Sequence, residues 1–294
     1  MFPRMTVLRV LAASIAVVVA LFGLISAGMG KSMLRAESHR HAASAASRPD
    51  ESTPPDRLAL VIGNSNYPDA AAPLPQMAND AGLLASVLRK DHFVVELREN
   101  ATRADIMSAI EHLKAKIRPA STVLIYFGGY GVQSRGHDYM IPIDAKIWYE
   151  RDVRRDGISI DQVLSEFSGA RARLAVIDAS RRNPYERRFR IYSHGLAPVQ
   201  VSDNTLVLTS AAPDQAVDDS NGAHSPLMTA LVRDMNSSGS VQEAFERTRA
   251  AVARETSNQQ IPTVFSKMGE SIVFDPALGN SISAAEPGSE SRRG

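Results

Sequence analysis

The chain has 294 residues, with 33 Lys and Arg against 32 Asp and Glu, for a net charge of +1. That length suits one domain of ordinary to large size with appendages, and so small a charge gives the whole chain no general attraction to nucleic acid or acidic partners. Cysteine is absent, which excludes disulfides, thiolate metal sites and a thiol nucleophile.

Arg4 and Arg9 precede an uncharged run from Val10 to Gly30. The run meets the ~20 apolar residues that span a bilayer and exceeds the ~7–15-residue core of a cleaved signal peptide. Residues 1–30 therefore read as a membrane anchor or signal segment. Length favours an uncleaved anchor, while Ser26, Ala27 and Gly28 would suit cleavage. Lys31, Arg35 and Arg40 follow the run, so the positive-charge bias is almost balanced. A first span behind a short basic N-terminus acts as an export signal, and the expectation is a membrane-anchored or exported, extracytoplasmic (periplasmic) domain. Residues 31–56, rich in Ala, Ser, His and Pro, read as a flexible tether. His39 and His41 within it read as solvated side chains.

A folded domain is expected over residues 57–276. Strands are predicted at Leu58–Ile62, Phe93–Leu97, Thr122–Phe127, Leu174–Asp178, Thr205–Thr209 and Ser271–Phe274, with a short extended piece at Asp138–Ile143. The third and fourth are apolar without alternation, the pattern of strands buried on both faces of a parallel sheet. Met77–Lys90 has helical apolar spacing, and Thr102 with Asp105 caps a helix reaching about Ile117. Ser159 with Gln162 and Ser240 with Glu243 form capping boxes, and Ser225-Pro226 opens a helix with Pro at its first position. Residues 277–294 read as a disordered polar tail. The order predicts an α/β fold of three layers, a mostly parallel central sheet with helices on both faces. By pattern alone a flavodoxin-like or Rossmann-like fold fits equally well.

In such sheets, chemistry sits past the carboxyl ends of the strands. The third strand runs into Gly128-Gly129-Tyr130-Gly131 and the fourth into Asp178-Ala179-Ser180, so Tyr130 and Ser180 reach the same rim. No phosphate-loop motif is present and no histidine pair in the domain has metal-ligand spacing, so neither cofactor nor metal is expected. Ser180 is well placed for a nucleophile but needs a base. A phenol with pKa near ~10 is a poor one, and His137 and His224 on nearby loops are the other candidates.

The segments Arg57–Asn64, Leu74-Pro75 with Ala78–Ala81, Tyr126–Gln133, Tyr139–Ala145, Asp178–Pro184, Gly195–Pro198 and Ser225–Leu227 occur in a recognisable order. Together they resemble the caspase-like peptidases, especially the bacterial metacaspase-like group. The resemblance implies a caspase-like fold. It sets Tyr130 where the family has its catalytic histidine and Ser180 where it has its cysteine. It also implies that Asp80 and Asp178 line a pocket for a basic side chain, a pairing favoured by charge. Read without the resemblance, Asp80 is a helix N-terminal charge and Asp178 a strand-end cap. Residues 211–224, with Asp218, Asp219 and His224, match a substrate-contacting loop.

The implied function is a membrane-tethered pseudo-peptidase that binds a basic peptide or regulates a partner. The alternative is a serine-type hydrolase using Ser180 with an unusual base. Calcium, which matters in some metacaspases, finds no ligand cluster here. The tract holding Arg181, Arg182, Arg187, Arg188 and Arg190 reads as a solvated loop, a processing linker or a contact for an anionic partner or lipid headgroups.

Overall fold

The computed structural model of the chain describes residues 57–68, 73–188, 195–217, 222–237 and 239–274. The expected anchor, tether and tail lie outside the described residues, as do Arg190, Asp218 and Asp219.

Strand β1 (Arg57–Gly63) leads to helix α1 (Gln76–Lys90), β2 (Val94–Glu99), α2 (Arg103–Lys114) and β3 (Thr122–Gly128). A hairpin of β4 (Gly131–Ser134) and β5 (His137–Met140) follows, then α3 (Glu150–Asp156), β6 (Ile158–Ser159) and α4 (Ile160–Glu166). The chain continues through β7 (Ala172–Asp178), β8 (Thr205–Thr209), α5 (Pro226–Met235), α6 (Val241–Glu255) and β9 (Thr263–Ser266). The main sheet has the order β2-β1-β3-β7-β8-β9, with β4-β5-β6 as a small second sheet. All pairs in the main sheet are parallel except β8 with β9.

Side chains of a strand alternate between faces, and here both faces are apolar and covered. On one side Ala59, Val61, Leu124, Tyr126, Leu174 and Val176 pack with α1, α5 and α6. On the other, Leu60, Ile62, Ile125, Phe127, Ala175 and Ile177 pack with α2 and α4. That double burial is why the strands carry unbroken apolar runs, and it makes the three layers the sequence predicts.

The N-caps form where the sequence places them, but the reciprocal box closes at Thr102 and not at Ser159 or Ser240, where Glu243 accepts from the Gly239 N–H instead. The Asp105 N–H donates to Thr102 Oγ1 at 3.2 Å while Asp105 accepts from the Thr102 N–H at 3.0 Å. The Ser240 and Ser225 hydroxyls accept from the N–H groups of Glu243 and Met228.

The expected final strand at Ser271–Phe274 is not one; the last strand is β9, antiparallel at the sheet edge. The backbone of 271–274 is engaged elsewhere. Ile272 O accepts from Val241 N–H at the start of α6, and the Arg57 guanidinium donates to the carbonyls of Val273 and Phe274. Ile272 and Phe274 are buried in the core, which accounts for the strand-like composition.

Asp138, on β5, is buried and accepts the Ala197 N–H at 2.8 Å. Burial is the main cause that pushes its carboxyl up to about 7. The folded state thus holds a proton that the unfolded chain releases near pH ~4, so this group costs stability as pH rises through that window. An Asp138→Asn variant keeps the acceptor and loses the titration. Its stability relative to wild type is expected to climb between pH 4 and 7 by roughly 2–4 kcal/mol. Urea unfolding of both proteins at pH 4.5, 6 and 8 checks this, and a difference that does not change with pH refutes it.

Candidate functional site

The last residues of β3 and β7, Gly128 and Asp178, are register partners in adjacent parallel strands. The pairing continues beyond the strands: Gly129 N–H donates to Asp178 O at 3.2 Å and Gly131 N–H to Ala179 O at 3.0 Å. Tyr130 and Ser180, two residues past Gly128 and Asp178 respectively, are thereby carried to the same part of the rim. Gly131 permits the approach. A Cβ there would lie 2.8 Å from both Ala179 O and Leu196 Cδ2, closer than real contacts allow.

Tyr130 is buried with its ring edge-on to Tyr67, centroids 4.9 Å apart. The Tyr67 hydroxyl accepts the Tyr130 N–H at 3.1 Å and donates to Ile141 O at 3.0 Å. Burial raises the Tyr67 pKa far above the ordinary phenol value, so that hydroxyl stays a donor. Ser180 is fully buried, and its Oγ has no hydrogen-bond partner among the described residues. Its backbone is fixed on both sides, the N–H by Ser210 Oγ at 3.2 Å and the carbonyl by Val217 N–H at 2.6 Å.

Neither histidine named from the sequence bonds to Ser180. His137 lies 3.4 Å from Asp161. It lines a groove of about 330 Å³ between α2 and α4 that contains none of Tyr130, Ser180, Asp80 or Asp178. His224 Nδ1 lies 2.7 Å from Asp80 Oδ1.

Asp80 and Asp178 do come together, through Ser225. The Ser225 N–H donates to Asp80 at 3.1 Å and its hydroxyl to Asp178 Oδ2 at 2.9 Å. Ser225 is also the N-cap of α5, so Asp80 interacts with the N-terminus of that helix, not of its own. Burial first, then the neighbouring Asp178 charge, push the Asp80 carboxyl up to about 6.

The sequence gives no sign of what Asp178 holds on its other side. Arg181 is buried, and its guanidinium donates to Asp178 Oδ1 at 3.2 Å, to Asp178 O, and to Gly129 O at 3.0 Å. The expectation of a solvated basic loop therefore fails at Arg181, while Arg182, Arg187 and Arg188 are exposed. Asp178 thus has a cation of its own chain beside it, whereas Asp80 meets His224 and the Ser225 N–H.

Among the described residues, no group of three or more His, Cys, Asp or Glu could hold a metal ion. No helix among them is long and apolar enough to cross a membrane.

A family model described as the caspase domain matches residues 56–273. The human mucosa-associated lymphoid tissue lymphoma translocation protein 1 is similar, 30% identical over 99 residues, which are 33% of this chain and 12% of that protein. Its mouse homologue is 30% identical over 93 residues, 31% of this chain and 11% of that protein. The chain thus matches only about a tenth of the length of these relatives. The family match covers most of the chain, and its span contains the parallel sheet and the rim that carries Tyr130 and Ser180: the chain belongs to the caspase-domain family.

Proposed function

We propose that this is a caspase-like domain that does not cleave peptides, with Tyr130 and Ser180 standing at the two positions of the family's catalytic pair. One observation carries the reading. The Ser180 hydroxyl is enclosed and has no hydrogen-bond partner among the described residues, whereas a serine nucleophile needs a base within hydrogen-bond reach. Tyr130 is a poor substitute, since a phenol keeps its proton at neutral pH.

What the domain retains is an acidic place for a basic segment. Asp80 is its acceptor, because Asp178 already has the Arg181 guanidinium beside it. A basic peptide from a partner would displace His224 from Asp80, and the tethered domain would act through that binding.

The test is hydrolysis of reporter peptides ending in Arg or Lys, with fluorophosphonate labelling alongside, for the full chain and Ser180→Ala. Both proteins are expected to be silent and unlabelled while a control hydrolase reacts. Cleavage or labelling that depends on Ser180 would overturn the proposal in favour of a serine-type hydrolase.

A further inference from the structure

Among the described residues, three large hydrophobic side chains are exposed, and two of them are adjacent: Trp148, 58% exposed, and Tyr149, 57% exposed. They are held outward. The buried Asp152 carboxylate accepts the N–H groups of both residues, at 3.1 and 2.9 Å, fixing the entry to α3. Each ring carries an arginine on its face. The Arg188 guanidinium lies 4.5 Å from the Trp148 centroid, and that of Arg151 lies 4.4 Å from Tyr149. Arg188 is anchored by donating to Ile147 O at 2.6 Å. Arg187, beside it in the same short 3-10 turn, is exposed. The other arginines of α3 are engaged more closely, Arg154 with Ser134 and Arg155 with Asp152 and Asp156, whereas Arg151 lies 4.0 Å from Asp152 Oδ1 with its side chain 70% exposed.

We propose that this patch docks the domain on an anionic bilayer surface. Trp and Tyr have an apolar body and a polar tip, and they concentrate at membrane interfaces. Arginines among them pair with phosphate in bidentate fashion, and clustered basic groups are drawn to anionic leaflets. That docking rests on the reading of residues 1–30 as an anchor, which would bring the bilayer near. The uncharged run Val10–Gly30 is separated from β1 by residues 31–56, a length that reaches roughly 90 Å at most when extended. An acidic protein segment would satisfy the arginines alone. The bilayer uses the exposed rings as well as the charges.

Trp148 is the only tryptophan in the chain, so its fluorescence reports this patch without interference. The full chain is reconstituted in vesicles of phosphatidylcholine alone, or of phosphatidylcholine with phosphatidylglycerol, each with a brominated lipid as quencher. An apolar anchor inserts into both kinds of vesicle, and only the patch should distinguish them. Trp148 emission is expected to shift to shorter wavelength and be quenched in the anionic vesicles. Both changes should be absent in the neutral ones, reversed by high salt and lost in Arg151→Glu and Arg187→Glu proteins with unchanged circular dichroism. Equal quenching in the two vesicle types, or none in the anionic ones, overturns the proposal. So does a shift produced by soluble polyglutamate when anionic vesicles produce none, since that assigns the patch to an acidic protein.

Discussion

Replacing Arg181 with alanine is expected to destabilise the domain by about 3–5 kcal/mol, the cost of removing one member of a buried ion pair. The guanidinium is buried and joins three acceptors, the Asp178 carboxylate and the carbonyls of Asp178 and Gly129. Removing it leaves a buried carboxylate held by the Ser225 hydroxyl, and takes a donor from each of two buried carbonyls. In a domain of this size the melting temperature should fall by roughly 10 °C, at ~2–4 °C per kcal/mol. Lysine should not rescue the loss, because a single ammonium cannot reproduce the planar fork. Arg187→Ala, at an exposed site in the same basic tract, should stay within about 0.5 kcal/mol of wild type. Urea unfolding decides the matter. A loss below about 1 kcal/mol for Arg181→Ala would mean that the pair is solvated and that the β3 and β7 loops are not joined through it.

That arginine also marks how far the sequence could be read. The central strands were legible because burial on both faces removes every polar residue from them, as in Val123–Phe127 and Leu174–Ile177. The caps were legible because Ser or Thr at the N-cap with an acceptor or donor three residues on is a local signal. That Tyr130 and Ser180 reach one rim followed from two strands ending there, and the register of Gly128 with Asp178 supplies the cause. Arg181 was not legible. Its neighbours Arg182 and Arg187 have the same chemistry and are exposed, and only acceptors brought by another loop distinguish it. The contact of His224 with Asp80 joins residues 144 positions apart, and no local pattern encodes it. Helix α3 has Val153 as its single buried apolar residue, too little for a helical period. Of the small hairpin, β5 overlaps the extended piece expected at Asp138–Ile143, whereas β4, 4 residues directly after the glycine-rich loop, has no sequence signal of its own.

The double change Tyr130→His with Ser180→Cys should create a reactive thiol where the wild-type chain has no cysteine at all. The backbone needed for it is present. Hydrogen bonds from Gly129 to Asp178 O and from Gly131 to Ala179 O fix the two loops relative to each other. The Ser180 Oγ site is enclosed and has no bond to lose, and an imidazole is smaller than the phenol it replaces. Beside an imidazolium, a thiol pKa falls from ~8.5 into the range below ~7.5, and the thiolate is the form that reacts. Access alone also speeds alkylation, and replacing a buried phenol by a smaller side chain opens space at the rim. The control is therefore Tyr130→Ala with Ser180→Cys, which opens the site without adding a base. At pH 7 the histidine variant should react with iodoacetamide roughly tenfold faster than this control. Its rate should level off at lower pH, where the control's rate is still rising. The shift of the pH profile separates an ion pair from simple exposure. Peptide turnover after Arg or Lys should then appear in the histidine variant alone. If the two variants share one pH profile, residues 130 and 180 do not face each other as a catalytic pair. The loss of activity proposed for this chain would then lie in the loop geometry rather than in two side chains.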